Sequence, residues 1–203
     1  MPPLVSKLPW LSTAVILLCL VNYLFIPFNS EAFLSLALDQ SRPWNAVAWM
    51  SAHLTHSDGN HLLWNLAAMA VLGFIIESQQ RLLLALGSAA SVVAIDVWFF
   101  NQAQFQVYVG LSGVLNGLLV VALYSLRSPQ ASSVGIWRGN EMLWLVLVLA
   151  VAKSVYELYA GDALFSNTRW QSTPSFHLVG LAAGAVVVSV WHWFKTWRHA
   201  ATP

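Results

Sequence analysis

The sequence has little charge. Of its 203 residues only 8% are Asp, Glu, Lys or Arg, whereas 58% are hydrophobic. An ordinary soluble domain has about 25% charged residues and could not bury this much apolar surface in one core. The net charge of +1 leaves no basic surface for nucleic acid, and one cysteine allows no internal disulfide. These shortages exclude a soluble enzyme, a nucleic-acid binder and a disulfide scaffold, and they predict a membrane protein.

Long apolar runs account for most of the chain. A membrane-spanning helix needs about 20 mostly apolar residues, and six stretches approach or reach that length. They cover residues 10–28, 61–77, 82–100, 112–126, 142–160 and 176–193. No internal repeat is visible, so the inverted repeats of many transporters are missing. We predict an all-α polytopic membrane protein, with residues 1–203 forming one domain built as a six-transmembrane-helix bundle.

Basic residues between the apolar runs predict the orientation of the chain, because cytoplasmic loops carry an excess of Lys and Arg. If six helices alternate, most basic residues share the side of the N-terminus: Lys7, Arg81, Arg127, Arg138, Lys195 and Arg198. Only Arg42 and Arg169 fall on the other side. This excess predicts that both termini are cytoplasmic. Lys153 in the fifth run and Asp96 in the third have similar predicted depths, so we expect them to pair.

Polar side chains near the membrane interior are costly and mark either function or a buried partner. His56, His61 and Asn65 surround the start of the second run, and Gly110-Leu111-Ser112-Gly113 opens the fourth. His177 lies near the start of the sixth. On the predicted topology all of these residues lie in the outer half of the membrane, so they can form a single site.

These residue types favour nucleophilic catalysis. A serine hydroxyl is a weak nucleophile that needs a base, and histidine is the usual base near neutral pH. Ser112 begins a helix, where free backbone amides can stabilise a developing oxyanion. His61 and Asn65 are four residues apart on one helix face and can donate hydrogen bonds to the same oxyanion.

Two glycine pairs predict how the serine and the histidine meet. Gly113 and Gly117 share one face of the fourth helix, and Gly180 and Gly184 share one face of the sixth. Small residues at this spacing let helix backbones approach closely. Packing the two faces together would bring His177 to Ser112.

Plainer interpretations remain open at this point. Glycine pairs often serve packing alone, and a lone membrane serine usually bonds a backbone carbonyl of its own helix. His53, His56 and His61 could bind a metal, or could line a transport path with Asp96 and Lys153. Because no HExxH motif occurs and Asp58 is the only carboxylate nearby, we predict no metal and no cofactor.

In combination, the motifs resemble the rhomboid intramembrane serine proteases. The resemblance rests on His56, His61-x-x-x-Asn65, Gly110-x-Ser112-Gly113 and His177-x-x-Gly180-x-x-x-Gly184. It implies that Ser112 is the nucleophile and His177 its base, with no carboxylate as third member. His61, Asn65 and the Ser112 amide would form the oxyanion hole. The resemblance also implies supporting roles for His56, Gly110, Gly113, Gly180 and Gly184. Asn116 stands where many rhomboids have Tyr, and we expect it to support the site by a hydrogen bond to the His177 imidazole.

The run from Gly110 to Leu115 and the short chain most resemble the rhombosortase branch of that family. This implies a serine endopeptidase that cleaves membrane-anchored proteins in or near their transmembrane segment, at a C-terminal Gly-Gly motif. The expected partners are such substrates and the lipid bilayer, without nucleic acid. The expected location is the bacterial inner membrane, with the active site towards the periplasm. The alternative is a catalytically inactive rhomboid-like protein that binds membrane helices, or else a transporter.

Overall fold

The computed structural model describes residues 9–127, 140–161, 164 and 173–201. Within these residues the chain forms eight α-helices and a two-stranded antiparallel sheet. In chain order they are α1 (Trp10–Phe25), α2 (Glu31–Leu36), β1 (Leu38–Asp39), α3 (Ala48–Ser51), α4 (Gly59–Gln79), α5 (Arg81–Phe100), β2 (Val107–Tyr108), α6 (Ser112–Leu126), α7 (Asn140–Ala160) and α8 (Pro174–Ala201), with a 3-10 turn (Ala52–Leu54) between α3 and α4.

In the part of the chain that the structure describes, four helices are long and apolar enough to cross a membrane: Gly59–Gln79, Arg81–Phe100, Glu141–Ala160 and Pro174–Arg198. The apolar helices α1 and α6 are shorter, with 16 and 15 residues. The predicted class, a helical integral membrane protein, is confirmed, whereas the count of six spans stays a prediction.

The single domain over residues 1–203 and the orientation of the chain also stay predictions. Of the basic residues that predict the orientation, Lys7, Arg138 and Arg169 lie outside the described residues.

Local backbone chemistry explains where the first two long helices depart from their predicted bounds. Helix α1 ends at Phe25 instead of residue 28, because Ile26 precedes Pro27 and takes an extended conformation. Helix α4 begins two residues before the predicted start, because the Asp58 side chain accepts a hydrogen bond from the His61 amide and caps the helix.

The later helices begin within two residues of the predicted starts, and all except α8 end at the predicted residue. Helix α6 has the predicted bounds, and α5 and α7 begin at Arg81 and Asn140 instead of residues 82 and 142. Helix α8 begins at Pro174, where the fixed φ of proline suits the first helical turn. It continues to Ala201, well beyond the predicted end at residue 193. The aromatic and basic residues that follow residue 193 are therefore helical.

Helix α6 is the centre of the bundle and packs against α8, α4 and α5. Nine of its 15 residues are buried. At about 1.5 Å per residue it is roughly 22 Å long, shorter than the hydrocarbon layer of about 30 Å.

The long connection between α1 and α4 fastens the segment that leads into α6. Leu38 of β1 pairs with Tyr108 of β2, and the Gly110 amide donates a hydrogen bond of 2.8 Å to the Ala52 carbonyl. The residues just before Ser112 are thus held from both sides by one connection.

A buried carboxylate joins α1 to α4. Glu77 accepts hydrogen bonds from the Leu11 amide (3.1 Å), the Ser12 amide (3.0 Å) and the Ser12 hydroxyl (2.8 Å). The two amides belong to the first turn of α1, where backbone N–H groups have no partner within the helix. Glu77 is therefore the N-terminal cap of α1, supplied by another helix.

The predicted ion pair between Asp96 and Lys153 is wrong. Asp96 Oδ1 lies 3.0 Å from His53 Nε2, and both side chains are 2% exposed. Lys153 Nζ instead donates to Glu157 Oε1 at 2.7 Å. Similar depth in the sequence does not show which helix faces point towards each other, and the first connection delivers His53 to Asp96.

Replacing Glu77 tests the cap on α1. We expect Glu77→Ala to lower the free energy of unfolding by about 3 kcal/mol, because two amides and a hydroxyl lose a charged acceptor. The measurement is an unfolding titration in mixed detergent micelles. Ser78→Ala is the matched control, because the Ser78 hydroxyl donates its hydrogen bond to the Ile75 carbonyl of its own helix. Equal stability of Glu77→Ala and the wild type would contradict the assignment.

Candidate active site

The structure brings Ser112 and His177 together from two helices. Ser112 is the first residue of α6, and His177 lies in the first turn of α8. The Ser112 Oγ atom and the His177 Nε2 atom are 3.1 Å apart, within hydrogen-bonding distance. The His177 side chain is 13% exposed, so the imidazole is largely shielded from solvent.

Direct contact between the backbones of α6 and α8 sets this distance. A Cβ atom on Gly180 would overlap the Gly113 carbonyl and approach the Gly117 amide nitrogen to 3.3 Å. A Cβ atom on Gly184 would overlap the Gly117 carbonyl. The helix packing expected from the two glycine pairs is present, and it leaves no room for a side chain between them.

The turn before Ser112 requires a glycine. Gly110 has a φ of +119°, which residues with a side chain rarely adopt, and a Cβ there would lie 2.6 Å from His61 Cε1. The Tyr108 hydroxyl donates to the Gly110 carbonyl at 3.0 Å. Burial, assisted by Asp96, raises the pKa of Tyr108, so this hydroxyl stays protonated and keeps donating. The turn is therefore held in one conformation, with His61 packed against it.

His56, His61 and Asn65 form a second group beside this turn. The rings of His56 and His61 pack edge to face with centroids 5.1 Å apart, and Asn65 Nδ2 lies 2.9 Å from His56 Nε2. Burial and the neighbouring His61 lower the pKa of His56 to about 3, so His56 is neutral and accepts the amide hydrogen of Asn65. An amide nitrogen carries two hydrogens, and the second remains for another acceptor.

Asn116 has a different contact from the one predicted. Its Nδ2 atom donates to the Ser112 carbonyl at 2.9 Å instead of to the His177 imidazole. The carbonyl one turn back is the nearest acceptor for a short polar side chain on a helix. Asn116 thus braces the start of α6, and its effect on His177 is indirect.

A family model described as the Rhomboid domain matches residues 43–194, most of the chain. The chain belongs to the rhomboid family. Rhomboids are generally intramembrane serine proteases that act on membrane protein substrates within the bilayer. The matched part of this rhomboid begins after α2 and includes all the residues just described, from His56 to Gly184. No curated protein matches the chain with significant similarity.

Sequence reasoning missed one residue that lies beside His177 in this rhomboid. Glu157 of α7 has its Oε2 atom 3.7 Å from His177 Nδ1, and its side chain is 1% exposed. The resemblance implies no carboxylate here, and no sequence motif marks Glu157. The available signal was an acidic residue in the outer half of an apolar helix, the predicted depth of Ser112 and His177.

The histidines do not assemble a metal site in the described part of this rhomboid. No group of three or more His, Cys, Asp or Glu residues there is arranged to hold a metal ion. His53 bonds Asp96 and packs beside the Tyr108 ring, instead of joining His56 and His61.

Gly180→Ala tests the backbone contact beneath the site. The added methyl group must push α8 away from α6, so we expect reduced thermal stability. We also expect at least roughly 10-fold slower reaction of Ser112 with a serine-directed probe, because misplacing a reacting group by 1 Å can cost about 100-fold in rate. Ala182→Val is the matched control, because Ala182 is exposed on the same helix. Normal labelling and melting of Gly180→Ala would contradict a tight contact.

Proposed function

We propose that this rhomboid is an intramembrane serine endopeptidase with Ser112 as nucleophile and His177 as general base. The observation that carries the proposal is the distance of 3.1 Å between Ser112 Oγ and His177 Nε2. A serine alcohol becomes nucleophilic when a base accepts its proton as the new bond forms. An imidazole at hydrogen-bonding distance is suited to that task near neutral pH.

The reaction proceeds in two acyl-transfer steps. Ser112 Oγ attacks the scissile carbonyl while its proton moves to His177 Nε2. His177 then gives this proton to the leaving amine, the C–N bond breaks, and an ester to Ser112 remains. Water attacks the ester after losing a proton to His177, which returns that proton to Ser112 as the acid product leaves.

Three groups are suited to stabilise the oxyanion that forms in each step. The Ser112 amide lies at the start of α6, where an N–H group has no partner within the helix. His61 packs against the turn before Ser112, and Asn65 retains one amide hydrogen beyond its bond to His56. We assign the oxyanion hole to these three residues, with His56 holding Asn65 in place.

The surroundings of the site favour a membrane-anchored substrate. Ser112 begins a buried helix that is shorter than the hydrocarbon layer. A cavity of about 510 Å³, lined by Tyr23, Phe28, His56 and Asp58 among others, offers room for water next to His56. A substrate helix hides its carbonyls in its own hydrogen bonds and must unwind before attack. Glycine at the cleavage region lowers the cost of that unwinding.

Labelling with a fluorescent fluorophosphonate tests the activated serine. We expect the wild type to be labelled in detergent, with Ser112→Ala and His177→Ala at least roughly 100-fold slower, since general-base catalysis contributes about 100- to 10,000-fold. Ser125→Ala is the matched control, because the Ser125 hydroxyl is buried in the same helix and bonds only the Val121 carbonyl. One outcome would favour an inactive helix-binding protein. In that outcome the folded wild type does not react with this probe or with a smaller sulfonyl fluoride, and it does not cleave a glycine-rich membrane substrate.

We further propose a rhombosortase-like substrate, with a C-terminal Gly-Gly motif, a membrane helix and a basic tail. The run from Gly110 to Leu115, which resembles that branch, supports this choice. The proposed location is the bacterial inner membrane, which the family resemblance implies. The distribution of basic residues supports an orientation with both termini in the cytoplasm and the site towards the periplasm.

Two substrates that differ only at the Gly-Gly motif test this preference. We expect replacement of Gly-Gly by Val-Val to lower kcat/KM at least roughly 10-fold. Valine makes the substrate helix harder to unwind than glycine does, and its branched side chain crowds the approach to Ser112. Cleavage is measured in proteoliposomes, with Ser112→Ala enzyme as the blank. Equal cleavage of both substrates would remove the Gly-Gly preference and leave the protease assignment intact.

A further inference from the structure

We propose that Glu157 is a positioning residue for His177, so that the serine and histidine of this rhomboid work with a carboxylate as third member. The catalytic part of this inference rests on the proposed function. The contact itself does not, and it can be measured in a protein that has no activity at all.

The three side chains form a line through the imidazole. On one side His177 Nε2 lies 3.1 Å from Ser112 Oγ, and on the other His177 Nδ1 lies 3.7 Å from Glu157 Oε2. Each residue comes from a different helix, with Ser112 on α6, Glu157 on α7 and His177 on α8. An imidazole that has a hydroxyl at one nitrogen and a carboxylate at the other has the arrangement of a catalytic triad.

The carboxylate is held in place by its other oxygen. Glu157 Oε1 accepts hydrogen bonds from Lys153 Nζ at 2.7 Å and from the Leu164 amide at 2.8 Å. The Glu157 side chain is 1% exposed, which leaves it little freedom to turn towards solvent. Oε2 is therefore left facing His177.

The two facing atoms have unused hydrogen-bonding capacity. Neither His177 Nδ1 nor Glu157 Oε2 has a hydrogen-bond partner among the described residues, and both atoms are buried. Their separation of 3.7 Å exceeds a hydrogen bond, but an approach of about 0.5 Å would form one. Catalytic hydrogen bonds are often long in the free enzyme and shorten once substrate is bound.

Such a contact has two consequences for His177. A carboxylate beside Nδ1 favours the tautomer with hydrogen on Nδ1, which leaves the lone pair of Nε2 free to accept the Ser112 proton. The negative charge also stabilises the imidazolium that forms when the proton arrives. Lys153 offsets part of this charge, so we expect a smaller electrostatic effect than that of an unpaired carboxylate.

Few other ionisable groups of the described residues act on His177. His61 of α4 lies within electrostatic range, and α7 contributes Lys153 together with Glu157. Asp96 of α5 is hydrogen-bonded to His53, and Tyr124 of α6 contacts His192 near the other end of α8. A change in the NMR signals of His177 on removal of the Glu157 charge can therefore be assigned to Glu157.

The first test follows the His177 imidazole directly by NMR of ¹⁵N-histidine protein in micelles, with His177→Ala to assign its signals. We expect Glu157→Gln to move the His177 imidazole towards the tautomer with hydrogen on Nε2, seen in the ¹⁵N shifts of its two ring nitrogens, because the carboxylate that favours hydrogen on Nδ1 is gone. Glu141→Gln is the matched control, because Glu141 is an exposed carboxylate on the same helix. The double variant Lys153→Gln, Glu157→Gln avoids an unpaired lysine and serves if the single variant does not fold. Unchanged ¹⁵N shifts of the two His177 ring nitrogens in both variants would overturn the inference.

The second test measures catalysis. We expect Glu157→Gln to slow fluorophosphonate labelling about 10- to 100-fold at neutral pH and to move the rising limb of the rate profile to lower pH, with partial rescue in Glu157→Asp. A purely structural role for Glu157 predicts lower thermal stability with an unmoved profile, and that result overturns the inference. If the wild type is not labelled but the NMR signals of His177 still change in Glu157→Gln, the contact stands and the proposed protease function fails. If the wild type is labelled and neither quantity moves, the function stands and the role of Glu157 fails.

Discussion

The contact between the backbones of α6 and α8 is the constraint on which the rest of the structure depends. Where Gly180 and Gly184 meet Gly113 and Gly117, the helices approach without side chains between them. Only at this separation can the serine that opens α6 reach the histidine in the first turn of α8. The apolar layer provides little hydrophobic drive for two helices to associate, so close packing of small residues has to supply the attraction.

A polar site inside an apolar bundle needs a partner for each polar group, and most of these partners come from outside the central helices. The first connection supplies the Ala52 carbonyl to Gly110 and supplies His53 to Asp96. Glu77 of α4 likewise accepts hydrogen bonds from the backbone amides at the start of α1. These contacts hold the helices in register, and they hold the turn before Ser112 in a backbone conformation that suits only glycine. The rhomboid site is thus assembled by its connections as much as by its helices.

Much of this architecture could be predicted from the sequence, because apolar runs and glycine spacing are local signals. The long helices begin and end near the predicted residues, and the main departures have local causes such as Pro27 after α1 and the Asp58 cap on α4. The predictions about side-chain partners were less successful. Asp96 pairs with His53 instead of Lys153, and Asn116 bonds its own helix instead of His177. A sequence shows the depth of a residue but not the rotation of its helix.

By itself the sequence determined that this protein lies in a membrane and where its helices run, and it predicted which residues would carry a rhomboid's chemistry. These properties follow from hydrophobicity and from short motifs, which need no knowledge of neighbours distant in the chain. The tertiary structure alone decided which polar groups meet: His177 with Ser112 at 3.1 Å, and Glu157 with His177 at 3.7 Å. The reason is geometric, because the direction of a side chain depends on how each helix turns against the others.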